Sequence, residues 1–553
     1  MSFLKKIYLA FTKPERTSFL VSSAIALASL IVLASIFFIQ TTKAVPAAGG
    51  EFTEGALGQP EQVNPVTATA RVDLDLVKLI YSNVYDIADS IDATSSGRIW
   101  TVRLKENLHW QDGQKLTSDD VIFTVQSIQN PDARSPQLAD WQGVAVSRVS
   151  ELEVQFTLPG PYAFFGDNLK NLYILPKHLF ADAAPGNWRL SEYDLKPVGS
   201  GPYQFVSYDR TSDGFISGYH LAAWGGSFAV QPLIQNFDFS FFRNENDLAQ
   251  GFNAGQIDGF APQMPGDLAA ITRPYNLFSW RTPGYYAVFW NQGNNAALQD
   301  PSVREALAMA VDRDALISQL GAGNRQGTWY VPDDGPIPPG AAFYSAPQIS
   351  SSGIDLASST LDSAGWKMGS DGIRAKTIRK TSVPLSITLV VPQIDFLVRT
   401  ANYLQTVWRQ LGVQVTITPD SPDSIDADYI ENRSYQALLF GNILGPSSDL
   451  YAFWDSSQRF SPGLNLAVYG NPKADALIES ARQTLNNASQ TQELAAAEQA
   501  IINDAPALFL FSPNDLYAVN KTIQGIAPAI LSDPSDRFRE VPSWYLETAR
   551  VLK

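Results

Sequence analysis

The sequence predicts an α/β protein with more than one hydrophobic core, preceded by a single membrane-spanning helix. Three observations carry this. The chain has 553 residues and is 45% hydrophobic, which makes two or three domains the expectation. Apolar strand-like runs alternate with amphipathic helical segments. Between Leu385 and Ile417 they form a β-α-β unit: strand LSITLVV, helix Phe396–Leu411, strand Val413–Ile417. Finally, Phe19 to Ile39 contains no charged residue.

At about 1.5 Å rise per residue, that uncharged run matches a hydrocarbon layer roughly 30 Å thick. Lys5, Lys6, Lys13 and Arg16 precede it. This basic flank keeps residues 1–18 cytoplasmic and sends the chain from residue 40 onward outside. The run 19–39 reads as a transmembrane anchor or uncleaved signal. The alternative is a long signal peptide cut after Ala47 or Ala48 in the V-P-A-A stretch. The main body is extracytoplasmic either way, and residues 40–50 read as a small, polar linker.

Residues 51–65 read as a short strand and an Asn64-Pro65 turn. Arg71 to Ile87 follows as a helix with Val72, Leu76, Leu79, Ile80 and Val84 on one face. Ile99–Leu104 alternates as a strand. Trp110-Gln111-Asp112-Gly113 makes a turn. Thr117 and Asp120 then have capping-box spacing at the head of a helix carrying Val121 and Ile128. These acids read as turn and cap residues, not catalysts. Leu152–Leu158 alternates again, ahead of Ile174-Leu175-Pro176-Lys177-His178.

Pro197-Val198-Gly199-Ser200-Gly201-Pro202-Tyr203 is glycine-rich, but no Lys-Ser/Thr pair follows and Pro202 interrupts a helix start. It is therefore read as a turn with positive φ leading into strand Tyr203–Tyr208. Strand Ile234–Phe242 and helix Glu245–Gly255 precede Gly255-Gln256-Ile257-Asp258. The apolar stretch Phe278–Asn291 leads to one long helix, Asp300–Leu320. Asp300 caps it, Pro301 opens it, and Ala306, Leu307, Ala310, Val311, Leu316 and Ile317 form its apolar stripe. Arg304, Glu305, Arg313 and Asp314 fall on the other side. Gly335–Pro339, a helix at Ala357–Gly365, strand Tyr435–Leu444, helices Ala474–Thr484 and Gln490–Asp504, and strand Ala505–Phe511 complete the order.

Composition removes several functions. Net charge is 40 − 55 = −15, unsuited to a phosphate backbone, so nucleic acid is not an expected partner. There is no Cys, and the three His (His109, His178, His220) are far apart, so neither a metal site nor a cofactor is expected. Hydrolase signatures such as G-x-S-x-G and H-E-x-x-H are missing, so no catalytic residue is named and an enzyme is not expected.

The wording of several segments is more specific than their periodicity. WQDGQKLTSDDV, ILPKH, PVGSGPY, GQID, DPSVREALAMAVDRDAL and GPIPP follow one another in the order and form that resemble the bacterial extracellular solute-binding proteins of family 5. The chain resembles that family from about residue 51 to about 525. The resemblance implies a two-lobed periplasmic-binding-protein-like fold with an extra subdomain in the first lobe. It places the first lobe at 51–258, the second at 259–511 and a return to the first at 512–553. The signature helix is expected near the groove between the lobes. The implied role is a membrane-tethered receptor that captures a peptide-like solute in the inter-lobe cleft for the permease subunits of an ABC importer. A sensor or scaffold on the same fold, feeding no transporter, is the alternative.

Peptide-binding relatives fix the ligand ammonium with an Asp in a loop resembling W-x-x-D-Y-x-D-P. The matching stretch here runs from Gly441 to Asp449, with Asn442 at the Trp position and no acid at the anchor position. Asp449 is the nearest acid, with a helix N-cap as its competing role. Candidate ligand contacts are Asn442 and Asp449, the aromatics Trp329, Tyr330 and Trp454, and Tyr286, Trp290 and Asn291 on the strand before the signature helix.

Overall fold

The structure is a computed structural model that describes residues 11–226, 231–321, 329–348, 352–445, 447–527 and 531–552. Lys5, Lys6 and Pro446 lie outside the described residues. Among those described, twelve strands share one mixed sheet. Its spine runs Gln414–Asp420, Ser386–Pro392, Ala437–Ile443, Gly284–Trp290, Ala507–Asn520, Gly259–Phe260, Glu51–Leu57, Asn236–Phe242, Ile216–Ala223 and Tyr203–Arg210.

Ala507–Asn520 is the member that joins the two ends. It is 14 residues long, more than twice a usual strand. Its first part pairs with Gly284–Trp290, Phe289 opposite Ala507. Its second part pairs with Tyr275–Arg281 and with Gly259–Phe260. One core gathers on the second part, with Phe52, Phe237, Tyr517 and Trp544 all buried. The other end has a core on each face of Gly284–Trp290: Val288 and Trp290 on one side, Tyr285 and Phe289 on the other. Alternate side chains of a strand point to opposite faces, so a strand buried on both faces is apolar throughout. Two lobes with separate cores result, as expected.

The β-α-β unit forms as read. Ser386–Pro392 pairs in parallel with Gln414–Asp420, and Asp395–Gln410 is the crossover helix. The capping box also forms: the Thr117 N–H bonds Asp120 at 2.9 Å at the head of helix Ser118–Gln129. That helix packs on a separate four-stranded sheet made of Ala88–Ala93, Ile99–Leu104, Glu153–Thr157 and Ala145–Ser150. The C-terminal segment returns to the first core through charge. Arg537, 2% exposed, bridges Asp75 at 2.5 Å and Glu54 at 3.1 Å.

Four expectations are corrected. The long helix at 300–320 is two helices, Pro301–Met309 and Arg313–Gln319, because Asp312 leaves the helix to accept the Ala315 N–H and cap the second. Arg304 is not on an outer face. It is 5% exposed and donates to the carbonyls of Leu298, Asp504 and Ala505 at 2.7–3.0 Å, tying the helix to the chain entering the long strand. Gly199 and Gly201 have no positive φ. They are needed for close approach, since a Cβ on Gly199 would stand 1.9 Å from the Ile80 carbonyl oxygen. Finally, the 40–50 linker contains a strand. Thr42–Ala47 pairs antiparallel with Glu547–Leu552, from Thr42 opposite Leu552 to Ala47 opposite Glu547.

Candidate functional site

The contact between the lobes leaves two cavities open to solvent, one on each side of Ile443. This residue ends the strand Ala437–Ile443 and is 73% exposed. The smaller cavity, about 450 Å³, lies against the long crossing strand. Its walls are Thr282–Tyr286, Pro392, Ile394, Leu397 and Phe440–Ile443, closed by Pro513–Asp515 and Ser532–Pro534. The larger, about 740 Å³, lies between residues 137–171 of the first lobe and Ile443–Phe453 with Arg482 of the second. Both fall in the range of small-ligand pockets.

Strand pairing sets the wall of the smaller cavity. Tyr285 stands opposite Asn442 and Tyr286 opposite Gly441. Tyr286 turns its ring onto Phe396 and Phe511, at centroid distances of 5.1 and 5.5 Å, and its edge lines the cavity. Tyr285 turns the other way, into the core. There its hydroxyl accepts from the Asn442 amide at 2.9 Å and the Trp454 indole at 3.0 Å. Burial raises the Tyr285 phenol pKa well above the ordinary value.

The larger cavity contains a filled carboxylate. Asp449 accepts the Tyr451 N–H at 3.0 Å on one oxygen; the other takes Arg482 Nε at 3.0 Å and the Tyr162 hydroxyl at 3.2 Å. Burial raises the carboxyl pKa above its ordinary value, partly offset by the Arg482 guanidinium. Arg482 in turn lies between two rings, 4.1 Å from Tyr451 and 5.1 Å from Tyr162. Tyr162 belongs to the first-lobe segment, so the Tyr162–Asp449–Arg482 set crosses from one lobe to the other. The Ala163 N–H bonds the Arg482 carbonyl at 2.6 Å beside it.

The eight candidate contacts divide unevenly. Tyr286, Asn442 and Asp449 line the two cavities. Trp290 is buried against Trp408 at 5.8 Å, and Asn291 donates to the Arg433 carbonyl at 2.9 Å. Trp454 has no exposed surface and packs on Phe509 at 5.6 Å. Trp329 and Tyr330 are buried in the second-lobe core, where Tyr330 packs on Phe511 at 4.8 Å. These five stand away from either cavity wall. The N-cap position of helix Tyr451–Trp454 is Leu450, and Asp449, one residue earlier, accepts the first N–H of that helix, from Tyr451. The signature helices, too, pack on the second-lobe core and line neither cavity.

Sequence reasoning missed Ile443, Tyr162 and Arg482. Ile443 stands opposite Gly284 in the sheet, and its exposure at the strand end leaves no mark in the apolar run that precedes it. The others come together only through contacts between distant segments. Among the described residues no group of three or more His, Cys, Asp or Glu is placed to hold a metal ion. His178 pairs with Asp112 at 2.7 Å, and His220 lies between Asp209 and Asp238, each at 3.0 Å.

Two α/β lobes joined by a long strand, with cavities where they meet, define a two-lobed binding protein of the periplasmic class. Residues 83–461 match the family model described as bacterial extracellular solute-binding proteins, family 5 middle. The chain belongs to that family. The oligopeptide-binding protein AppA of Bacillus subtilis is 26% identical over 506 residues, covering 87% of this chain and 89% of the relative. The dipeptide-binding protein of Escherichia coli is 22% identical, covering 85% and 90%. Among solved structures, the ABC transporter substrate-binding protein CtaP of Listeria monocytogenes superposes with a TM-score of 0.74 at 24% identity, covering 90% of this chain and 100% of that one. AppA of B. subtilis in complex with a nonapeptide gives 0.65 at 24%, covering 91% and 100%. These likenesses show the fold. The family matched is one of substrate-binding proteins of ABC transporters, receptors and not enzymes.

Proposed function

We propose that this chain is a membrane-tethered extracytoplasmic receptor. It captures a peptide-like solute in the inter-lobe cleft and hands it to the permease subunits of an ABC importer. The observation that carries this is the pair of cavities flanking Ile443, walled by both lobes. A ligand touching both walls stabilises the closed arrangement by its differential contacts. Tyr286, Asn442 and Ile443 are the proposed contacts in the smaller cavity, with Asp449 reserved for the contact between lobes.

The proposed division places the first lobe at about residues 51–281. This is later than 258, since Gly259–Phe260 and Tyr275–Arg281 both pair with the second part of the long strand. The second lobe runs from there to about 511, and the remainder returns to the first.

Two observations support a retained anchor. Lys13–Thr41 is a 29-residue apolar helix with no buried residue, long enough to cross a bilayer. Cleavage after Ala47 would also remove the strand that pairs with Glu547–Leu552 and leave that edge open. Arg550 adds a bond to Thr42 Oγ1 at 2.9 Å, and its guanidinium lies 5.6 Å from the Phe38 ring.

Native mass spectrometry of the full chain purified from membranes tests both parts. A bound peptide-sized mass on a protein that keeps its N-terminal helix is the expected result. A mature mass beginning at Ala48 or Gly49 refutes the anchor. A ligand-free protein whose melting temperature no peptide pool raises refutes peptide capture and favours the scaffold role.

A further inference from the structure

Two strands link the first lobe to the apolar helix. Thr42 caps helix Lys13–Thr41 and is also the first residue of strand Thr42–Ala47. That strand leads on to Glu51–Leu57 in the central sheet, fastened on the way by the Gly49 N–H, which bonds the Leu233 carbonyl at 2.8 Å. Its partner leaves the first-lobe core at the buried Trp544 and comes back to the helix, ending with Leu552 opposite Thr42. Each strand has six residues, which at about 3.3 Å each make a strut roughly 20 Å long.

An isolated two-stranded ribbon is marginal in water. This one has no core of its own, since every residue of Glu547–Leu552 is exposed. Its end is held by the helix. Alternate residues share a face, so Arg550 and Leu552 lie on one side together with Ala44 and Thr42, the residues opposite them. Arg550 donates from Nε to Thr42 Oγ1 at 2.9 Å and from Nη2 to the Ile39 carbonyl at 3.3 Å. It thereby brings a cation to the carbonyl end of a helix whose own last turn has none.

Leu552, on the same face as Arg550, is 78% exposed, and Val551 beside it is exposed as well. They continue an apolar surface, for Ile36, Phe37, Phe38 and Ile39 at the end of the helix are all exposed too. Acyl chains cover that helical surface when the helix crosses a bilayer. Leu552 is level with the residue that follows the helix, so it falls at the boundary between acyl chains and headgroups. A cationic side chain at that depth lays its stem along apolar surface and keeps its head among the phosphates. Arg550 is placed to do so, and the exposed Lys43, opposite Val551, adds a second cation.

We propose that the tip of this ribbon is a second membrane contact, with Leu552 and Val551 in the acyl boundary of the extracytoplasmic leaflet and Arg550 and Lys43 at the level of the lipid phosphates. The ribbon then holds the first lobe at a set height above the bilayer instead of on a loose tether. The assignment rests on the retained-anchor reading and goes beyond it.

The chain contains no Cys, so one introduced thiol takes one label. Full chains carrying Ile36→Cys, Leu552→Cys or Leu190→Cys, each with the same fluorophore, are placed in vesicles of phosphatidylcholine and phosphatidylglycerol. Half of each preparation contains lipid with a nitroxide quencher on the acyl chain near the glycerol. Ile36 reports the anchor, and the exposed Leu190 of the first lobe reports solvent. The quencher lipid should lower emission at 36 and at 552 at least about twofold and leave emission at 190 within about a tenth. Val551→Cys gives the same reading if a label at 552 unpairs the end of the ribbon. Quenching at 36 but at neither 551 nor 552 overturns the contact and leaves the anchor standing. Quenching at none of these positions defeats the anchor reading itself. A label at 552 that is shielded from aqueous iodide yet untouched by the quencher lipid means that protein, a second copy or a permease, covers the tip, and this overturns the lipid assignment.

Discussion

Removing one hydroxyl, by Tyr162→Phe, should loosen the contact between the lobes without disturbing either core. The hydroxyl donates to a carboxylate that is 14% exposed, and the two residues come from different lobes. A hydrogen bond to a charged group is worth about 1.5–3 kcal/mol net. In an open form the hydroxyl regains water, so the lower figure applies, and roughly 1.4 kcal/mol is a factor of ten in the closed-to-open ratio. The neighbouring Ala163 N–H, bonded across the lobes to the Arg482 carbonyl, reports opening directly. Hydrogen exchange of the full chain should show peptides containing Ala163 exchanging about tenfold faster in the variant. Peptides from strand Ser386–Pro392, buried in the second lobe, should not change. Exchange at Ala163 within about twofold of the parent refutes the cross-lobe role. So does acceleration that extends equally to Ser386–Pro392, which would mean global loss of stability.

Three further expectations concern stability. Gly199→Ala places a Cβ against the Ile80 carbonyl and should cost about 3 kcal/mol, read as a lower denaturant midpoint. Arg537→Leu strands Glu54 and Asp75 in the first-lobe core and should cost about 3–5 kcal/mol, seen as lost thermal stability of that lobe with the second lobe's transition retained. Burial pushes the Glu498 carboxyl up to about 8 and Asp333 beside it to about 7. The folded protein therefore holds protons that the unfolded chain releases, so stability falls as pH rises from the ordinary carboxylate range through about 8. Glu498→Gln should flatten that fall and raise the melting temperature more at about pH 8.5 than at about pH 5.

The elements that were legible carry their signal locally. Thr117 and Asp120 specify a helix start within four residues, and the β-α-β unit at 385–417 shows its period change without reference to anything distant. The failures are nonlocal. Arg304 sits at a polar position of its helix, yet backbone carbonyls at 504 and 505, two hundred residues away, make burial favourable. Thr42–Ala47 is short, polar and proline-bearing; it becomes a strand because the other end of the chain supplies the partner.

The same distinction explains the candidate site. Tyr286, Val288 and Trp290 share one face of their strand while Tyr285, Ala287 and Phe289 share the other, and both faces are buried. Alternation therefore could not separate cavity-lining aromatics from core ones. What brings Tyr286 to the cavity is its place near the end of the strand where the lobes meet, a property of the assembled sheet. Charge follows the same rule. Asp449 lines the larger cavity, yet Arg482 and Tyr162 complete its coordination and convert it into a joint between lobes.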